Sequence, residues 1–195
     1  MTSIAIIIPS RLNAERLPNK PLKLINKKEM IIHVHDVAKK SNVGKVIVAT
    51  PDREILSLIQ KHNGEAILTS DKHETGTDRV FEVFEKKLKS TSEIIINFQG
   101  DMPNLNPEAI KNLAEHMKKN LCDISTLASQ IDNDNEEKDP NVVKVLVDKD
   151  IKNKSFARAL DFFRTSKKPL NKFTFHHVGI YAFTNKALIR YVSLE

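Results

Sequence analysis

The chain has 195 residues, a formal net charge of +6 and 40% hydrophobic residues, which is the composition of a globular protein with a sizeable core. Aromatic residues make up 6% and tryptophan is absent, which disfavours a base-stacking nucleic-acid surface and leaves small polyanions as the better explanation of the charge. No apolar run approaches the roughly 18 residues of a membrane helix, and the lone Cys122 rules out a disulfide framework, so we expect a cytoplasmic protein that binds neither nucleic acid nor membranes.

The first part of the chain alternates short apolar runs with segments of helical periodicity. The apolar runs predict buried strands at 4–8, 45–49, 65–68 and 93–98. Apolar residues at helical spacing predict helices at 30–38, 55–59, 80–88 and from Asn106, the expected N-cap, with Pro107 in the first helical position. Four successive β-α units predict an α/β fold with a doubly wound, mostly parallel sheet.

The part after Cys122 is richer in predicted strands. Strands are expected at 124–128 and 175–183, with a hairpin of 142–147 and 151–159, a polar loop at 132–140 and a helix from Lys186. We expect this part to extend the same sheet and to form one wall of a cleft. The prediction is a single domain, 1–195, with one half at about 1–122 and the other at about 123–195.

In an open α/β sheet, ligands bind outside the carboxyl ends of the strands. The segments that follow the predicted strands are 9–21, 49–53, 69–79 and 99–103. The first of them carries three cations, Arg11, Arg16 and Lys20, in a loop bounded by prolines. Guanidinium and ammonium groups in such a loop suit a triphosphate, although the charges alone fit a solvated basic loop about as well.

Asp101 is the candidate metal ligand, because a carboxylate directly after a strand projects into the expected cleft. Mg²⁺ takes one or two carboxylates together with phosphate oxygens and waters, whereas the ordinary alternative for one such Asp is a turn cap. Gly100 before it would allow a close backbone approach. His176 and His177 are adjacent on a predicted strand and point to opposite faces, which disfavours a zinc site.

The segment 73–79 is predicted to form a turn that leads into a helix. Exposed backbone amides at a helix start suit an anion, and Thr77 is a candidate cap. The alternative is a plain capping motif in which Asp78 favours the helix dipole. Both interpretations are compatible with each other.

Several of these segments, in order along the chain, resemble the motifs of the 3-deoxy-manno-octulosonate (Kdo) cytidylyltransferases, or CMP-Kdo synthetases. The matching motifs are Ile-Ile-Pro-Ser-Arg at 7–11, Arg-Leu-Pro-Asn-Lys-Pro-Leu at 16–22, Gly-Thr-Asp-Arg at 76–79, Asn-Phe-Gln-Gly-Asp at 97–101, Pro-Asn-Val-Val-Lys-Val at 140–145 and His-Val-Gly-Ile-Tyr at 177–181. The resemblance extends through nearly the whole chain.

The resemblance implies a nucleotide-diphospho-sugar transferase-like fold and an enzyme that transfers CMP from CTP to Kdo. The expected products are CMP-Kdo, for lipopolysaccharide biosynthesis, and pyrophosphate, with Mg²⁺ as the cofactor and a homodimer as the assembly. It assigns catalytic roles to Arg11, Lys20 and Asp101, the last also as metal ligand. It implies substrate-binding roles for Arg16, His73, Gly76, Thr77, Asp78, Arg79, Gln99, Gly100, Arg158, His177 and Tyr181.

The sequence also departs from the family pattern. Met102 stands where the family has Glu, Glu15 adds a negative charge to the phosphate loop, and the proline expected after Arg158 is absent. The resemblance implies a further C-terminal segment beyond Glu195, with one more metal-binding Asp. Two alternatives stay open: a non-catalytic or truncated nucleotide-binding remnant of the family, and a cytidylyltransferase for another acidic sugar.

Overall fold

The computed structural model describes residues 3–13, 17–119, 122–151, 156–165 and 172–194. The chain divides into two compact units, one formed by Met1–Ser125 with Ile180–Glu195 and the other by Thr126–Gly179. Among the described helices, none is long and apolar enough to cross a membrane.

The elements match the predicted alternation of strands and helices. The strands are β1 (Ile4–Pro9), β2 (Leu24–Ile25), β3 (Lys28–Glu29), β4 (Lys45–Thr50), β5 (Glu65–Leu68), β6 (Ile94–Asn97), β7 (Ile124–Ser129), β8 (Lys144–Val147), β9 (Ala159–Phe163) and β10 (Thr174–Thr184). The helices are α1 (Met30–Ser41), α2 (Arg53–Lys61), α3 (Gly76–Val83), α4 (Pro107–Lys119), α5 (Asp134–Lys138) and α6 (Asn185–Val192). A 3-10 turn at Lys20–Leu22 precedes β2, and a π-helical turn at Phe84–Leu88 continues α3.

The sheet of the first unit is mostly parallel, as predicted. Its order is β5, β4, β1, β6 and the C-terminal half of β10, and only the pairing of β10 with β6 is antiparallel. In register, Ile6 lies between Val46 and Ile96. The carboxyl ends of the parallel strands therefore meet at one edge, which is where the loops predicted to carry the chemistry begin.

Apolar side chains on both faces of this sheet explain why its strands are continuous hydrophobic runs. Ile4–Ile8 are all buried, and alternate residues point to opposite faces. On one face, Ala5 and Ile7 belong to a buried cluster with Val80 and Phe84 of the α3 region and Leu188 of α6. The predicted N-cap of α4 is confirmed, because Asn106 Oδ1 accepts a hydrogen bond of 2.9 Å from the Glu108 amide.

The second unit is built on the antiparallel pairing of β8 with β9 and with the N-terminal half of β10. Its small core contains Val145, Val147 and Phe175. Lys144 is fully buried, and its ammonium group donates hydrogen bonds to the carbonyls of Asp139 (2.7 Å) and Arg164 (3.0 Å). An ammonium group has three N–H donors, so it can hydrogen-bond to more than one backbone carbonyl group at a buried position.

Two predictions for this unit are wrong. The expected polar loop at 132–140 contains helix α5, whose first turn is capped by Asn133 Oδ1 accepting from the Glu136 amide at 3.0 Å. Of the second hairpin strand predicted at 151–159, residues 152–155 lie outside the described residues; Ile151 and 156–158 are not in a strand, and the described strand begins at Ala159. Asp148 pairs with Arg158 through both a backbone and a carboxylate hydrogen bond, 3.0 Å and 2.9 Å long, so the ladder resumes only after Arg158.

Candidate active site

A cleft of about 240 Å³ opens at the carboxyl edge of the parallel strands in the first unit. Its lining comes from the end of β1, the 3-10 turn, the start of α1, the loop before α3 and the loop after β6. The lining residues are Pro9, Ser10, Arg11, Lys20, Pro21, Met30, His73, Glu74, Thr75, Gly76, Arg79, Gln99, Gly100 and Asp101. Eight residues predicted from the sequence are among them, namely Arg11, Lys20, His73, Gly76, Arg79, Gln99, Gly100 and Asp101.

Lys20 and Asp101 form an ion pair, with 2.7 Å between Nζ and Oδ2. Their side chains are 37% and 51% exposed. Lys20 is held by the 3-10 turn, in which Pro21 is buried, and Asp101 follows β6. An ion pair this exposed contributes little free energy, so a ligand that supplies phosphates and a cation can separate the two groups at low cost.

Gly100 allows the loop after β6 to lie against the end of β1. A Cβ atom at this position would be 2.7 Å from the carbonyl oxygen of Pro9, which is backbone and cannot turn away. Gly76 is less constrained, since its nearest contact would be Pro9 Cγ at 3.3 Å. The close approach at Gly100 brings the residue before Asp101 to the floor of the cleft.

The loop before α3 is fixed by a capping box that begins at Thr75. Thr75 Oγ1 accepts from the Asp78 amide at 3.2 Å, and Asp78 Oδ2 accepts from the Thr75 amide at 3.0 Å. Thr77, the cap predicted from the sequence, instead accepts a hydrogen bond of 3.2 Å from Asn97 Nδ2. Thr75 displaces it because only the residue three positions before Asp78 can share this reciprocal pair. Thr77 and Asp78 therefore hold the loop and do not line the cleft.

Arg79 stabilises the same loop through hydrogen bonds. Its side chain is buried, and its guanidinium group donates to Thr69 Oγ1 and, at 2.8 Å, to the carbonyl of Ser70. Burial, followed by the nearby charge of Arg11, lowers the pKa of Arg79 from its ordinary value. Arg79 thus places positive charge under the cleft while it fixes the loop.

Glu82, which the sequence analysis did not single out, orients His73. Its carboxylate accepts from His73 Nε2 at 2.5 Å, from the Ser70 amide at 2.8 Å and from Lys86 Nζ. Burial would raise the pKa of Glu82, but the hydrogen bonds from Lys86, His73 and Ser70 lower it to about 2. In the sequence, Glu82 shows only an ordinary helical pairing with Lys86, so no pattern distinguishes it.

Asp52 is a second residue whose role becomes visible only in the structure. Its Oδ2 accepts a hydrogen bond of 2.8 Å from the backbone amide of Leu12. This contact fastens the start of the cationic loop to the end of the neighbouring strand β4. The sequence places Asp52 after a strand but gives no sign that its partner is a backbone amide 40 positions away.

The remaining predicted site residues lie elsewhere or are not described. Arg16 lies outside the described residues. Tyr181 is in the first unit, opposite Asn97 in the register of β10 and β6, and burial raises the pKa of its hydroxyl. In the second unit, the side chain of Arg158 is exposed. His177 is buried beside Thr126, with 3.0 Å between Nε2 and Oγ1, and burial lowers its pKa.

The donor set of the cleft fits a cation that takes most of its ligands from phosphate and water. Among the described residues, no three His, Cys, Asp or Glu side chains cluster in a way that would hold a metal by themselves. Asp101 supplies one half-exposed carboxylate beside the cationic loop. A single carboxylate of this kind suits Mg²⁺ bound together with a nucleotide.

Comparison with known proteins agrees with this arrangement. The cytidylyltransferase family model matches residues 5–195. A 3-deoxy-manno-octulosonate cytidylyltransferase of Bartonella bacilliformis is 37% identical over 97% of the chain and 78% of its own length, and one of Brucella canis is 38% identical over 96% and 75%. The chain belongs to the 3-deoxy-manno-octulosonate cytidylyltransferase family. Members of the broader cytidylyltransferase family generally use a divalent metal ion.

One solved structure supports the same family, and a second supports the fold. A CMP:2-keto-3-deoxy-manno-octonic acid synthetase complexed with CTP superposes with a TM-score of 0.87 at 36% identity, covering 100% of this chain and 79% of that one. A 4-diphosphocytidyl-2C-methyl-D-erythritol synthase of Anaerococcus prevotii matches with a TM-score of 0.65 at 16% identity over 100% of this chain and 78% of that one, which shows the fold alone. The predicted α/β fold with a mostly parallel sheet is confirmed.

Proposed function

We propose that this chain transfers CMP from CTP to Kdo and releases pyrophosphate. The observation that carries the proposal is the Lys20–Asp101 pair at the carboxyl edge of the sheet, in a chain of the Kdo cytidylyltransferase family. The solved relative that is complexed with CTP and 36% identical supports CTP as the nucleotide.

The reaction is a displacement at the α-phosphorus of CTP. The anomeric hydroxyl oxygen of the sugar forms the new O–P bond and loses its proton. The bond between the α-phosphorus and the bridging oxygen breaks, and its electron pair leaves with pyrophosphate. Phosphoryl-type transfer of this kind depends mainly on positioning the reactants and stabilising charge.

Arg11 and Lys20 perform the electrostatic part of this reaction in our proposal. Both line the cleft, and cations held in place stabilise the negative charge that develops on the leaving pyrophosphate. Lys20 would be free to bind phosphate if Asp101 held a cation. Asp101 would hold Mg²⁺, which when bound supplies neutralisation of the phosphate oxygens.

The loop before α3 completes the nucleotide site in this proposal. Glu82 holds the His73 ring beside the cleft, and Arg79 fixes the loop from which His73 projects. Gln99 is restrained by a hydrogen bond of 3.1 Å from its Nε2 to Asn97 Oδ1. These contacts place polar groups in the cleft without requiring them to be reordered when the ligand arrives, which favours binding.

Further parts of the proposal rest on the sequence. We propose that residues at about 123–195 bind the sugar and contribute to a homodimer, with Arg158, His177 and Tyr181 on the sugar and Arg16 on the nucleotide. Arg158 is proposed to bind the sugar carboxylate, since Arg recognises carboxylates through two parallel hydrogen bonds. We also propose Mg²⁺ as the metal, a cytoplasmic location and a product used for lipopolysaccharide.

Pyrophosphate release tests the proposal. The protein is incubated with CTP and Mg²⁺, alone and with Kdo or a sialic acid. We expect release above background with Kdo. Release with the sialic acid alone would assign another acidic sugar. CTP binding in calorimetry with no release for either sugar would indicate the non-catalytic alternative.

A further inference from the structure

Asp52 stands at the start of helix α2 but does not cap it. It is the N-cap residue of α2, in extended backbone conformation, and an Asp side chain at this position usually accepts a hydrogen bond from one of the first amides of its helix. No amide of α2, which the structure describes in full, donates to the Asp52 side chain. Its Oδ2 instead accepts from the Leu12 amide at 2.8 Å. Departures from a local structural preference are expected at functional sites, so this contact indicates a role beyond α2.

Leu12 is the point at which the two ends of the cationic loop meet. Its amide donates to Asp52, and its carbonyl accepts from the Asn19 amide at 3.1 Å. Arg11 directly precedes Leu12, and Lys20 directly follows Asn19, whose left-handed backbone (φ 56°) leads into the 3-10 turn. Both cations assigned to the phosphates therefore adjoin residues that this chain of hydrogen bonds from Asp52 holds in place.

Asp52 also supplies negative charge near two cations of the cleft. Arg11 and Arg79 line the cleft, whereas Asp52 is not among the described residues that do so. Burial, followed by the charge of Arg11, lowers the pKa of Arg79, and the negative charge of Asp52 acts in the opposite direction. A carboxylate in this place reduces the repulsion between the two guanidinium groups. Because it does not line the cleft, it does not compete with a phosphate for them.

We propose that Asp52 is a positioning residue, which holds the cationic loop so that Arg11 and Lys20 are placed to bind the phosphates of CTP. The proposal rests on the proposed function, because it takes CTP as the ligand of the cleft. Asp52 acts through the Leu12 amide and does not touch the substrate. Its loss should therefore weaken phosphate binding even where the variant stays folded.

Two variants of Asp52 and one matched control test this assignment. Asp52→Ala removes both the acceptor and the charge, whereas Asp52→Asn keeps an oxygen that can accept from the Leu12 amide. The control is Thr184→Ala, because Thr184 Oγ1 likewise accepts from a backbone amide, that of Ala187 at 3.1 Å. Thr184 lies opposite Ile94, the first residue of β6, and hence at the amino edge of the sheet, away from the cleft.

Each variant is titrated with CTP and with pyrophosphate in the presence of Mg²⁺, and its melting temperature and the kcat and KM of pyrophosphate release are measured. We expect Asp52→Ala to weaken both ligands and to raise the KM for CTP about tenfold, as the loss of one hydrogen bond to a charged group implies. Asp52→Asn should show about a threefold effect, because it keeps the acceptor and loses the charge. Thr184→Ala should lower the melting temperature and keep the wild-type affinities and KM, which separates ligand binding from stability.

The results distinguish the role of Asp52 from the proposed function. Wild-type affinities and KM in Asp52→Ala would overturn the proposal, and so would equal losses in Asp52→Asn and Asp52→Ala, because the bond to Leu12 would then not matter. If Asp52→Ala does not fold, Asp52→Asn decides: binding about threefold weaker supports the proposal, and wild-type binding overturns it. A wild-type protein that binds no CTP would refute the proposed function itself.

Discussion

The Lys20 ammonium group lies 2.7 Å from the Asp101 carboxylate, although the two residues are 81 positions apart in the chain. The sequence predicts that Lys20 binds phosphate and that Asp101 binds a metal ion, and in the folded chain the two side chains form an ion pair. Each group therefore neutralises the other in the free protein. In our account, a nucleotide that binds with its cation would replace both partners, because its phosphate would pair with Lys20 and its cation with Asp101. The local charge would stay balanced.

Replacing Lys20 with alanine should reduce the rate of pyrophosphate release on the order of 10²-fold, because a cation on the transferring group is lost. The melting temperature should change little, since the ion pair is exposed. Lys28→Ala is a matched control, because Lys28 pairs with Asp36 at 2.9 Å outside the cleft lining. Normal turnover with an unchanged KM for CTP in Lys20→Ala would show that Lys20 is not part of the site.

Replacing Asp101 with asparagine should abolish metal-dependent activity and leave folding intact. The substitution keeps the shape of the side chain and removes the charge that Mg²⁺ requires. Activity is measured across a Mg²⁺ titration, and Asp36→Asn serves as the control. If Asp101→Asn unfolds while the wild type works without added metal, Asp101 is a structural residue and the metal assignment is wrong.

Glu82→Gln should destabilise the protein at neutral pH by about 2 kcal/mol, because it removes the charge that three donors share. The folded-state pKa of about 2 lies below the ordinary value of 4.5, so ionised Glu82 favours the folded state above pH 4.5. This contribution is lost as the pH falls from 4.5 toward 2. Urea unfolding at several pH values in this range should therefore show a smaller acid dependence for the variant.

The control for Glu82 lies on the same helical segment. Glu85 pairs with Lys89 at 3.5 Å on the exposed surface, so Glu85→Gln should change the free energy of unfolding by less than about 0.5 kcal/mol. Equal effects of the two substitutions would mean that the contacts of Glu82 with His73 and Ser70 add nothing to its surface pair with Lys86.

Gly100→Ala should lower both stability and activity. Its Cβ would lie 2.7 Å from the Pro9 carbonyl oxygen, so the loop that carries Asp101 must shift, at a cost of about 1–3 kcal/mol. Gly76→Ala, with its nearest contact at 3.3 Å, should cost less. Thermal melting and CTP turnover of both variants measure the difference, and a harmless Gly100→Ala would show that this close approach does not position Asp101.

The sequence predicts the first unit well because its signals are local. Continuous apolar runs such as 4–8 and helical spacing such as that of 30–38 depend only on neighbours in the chain, and the crossover rule then gives the parallel sheet. The same reasoning identifies the cleft, because loops after parallel strands meet at one edge. Eight of the predicted residues line it for this reason.

Contacts between distant residues explain what the sequence did not predict. The bond from Leu12 to Asp52 and the bond from His73 to Glu82 depend on how loops fold onto one another. The start of β9 was misplaced because the pairing of Asp148 with Arg158 extends the connection beyond the predicted turn. The helix cap is Thr75 and not Thr77, because Thr75 forms the reciprocal pair of hydrogen bonds with Asp78.

Identification of the phosphorus products tests the central claim most directly. Phosphorus NMR follows CTP, Mg²⁺ and Kdo with the wild-type protein and with Lys20→Ala. We predict that the CTP signals are replaced by one phosphodiester signal of CMP-Kdo and an equimolar pyrophosphate signal, much more slowly with the variant. Unchanged CTP, or release of free CMP independent of the sugar, would contradict the account.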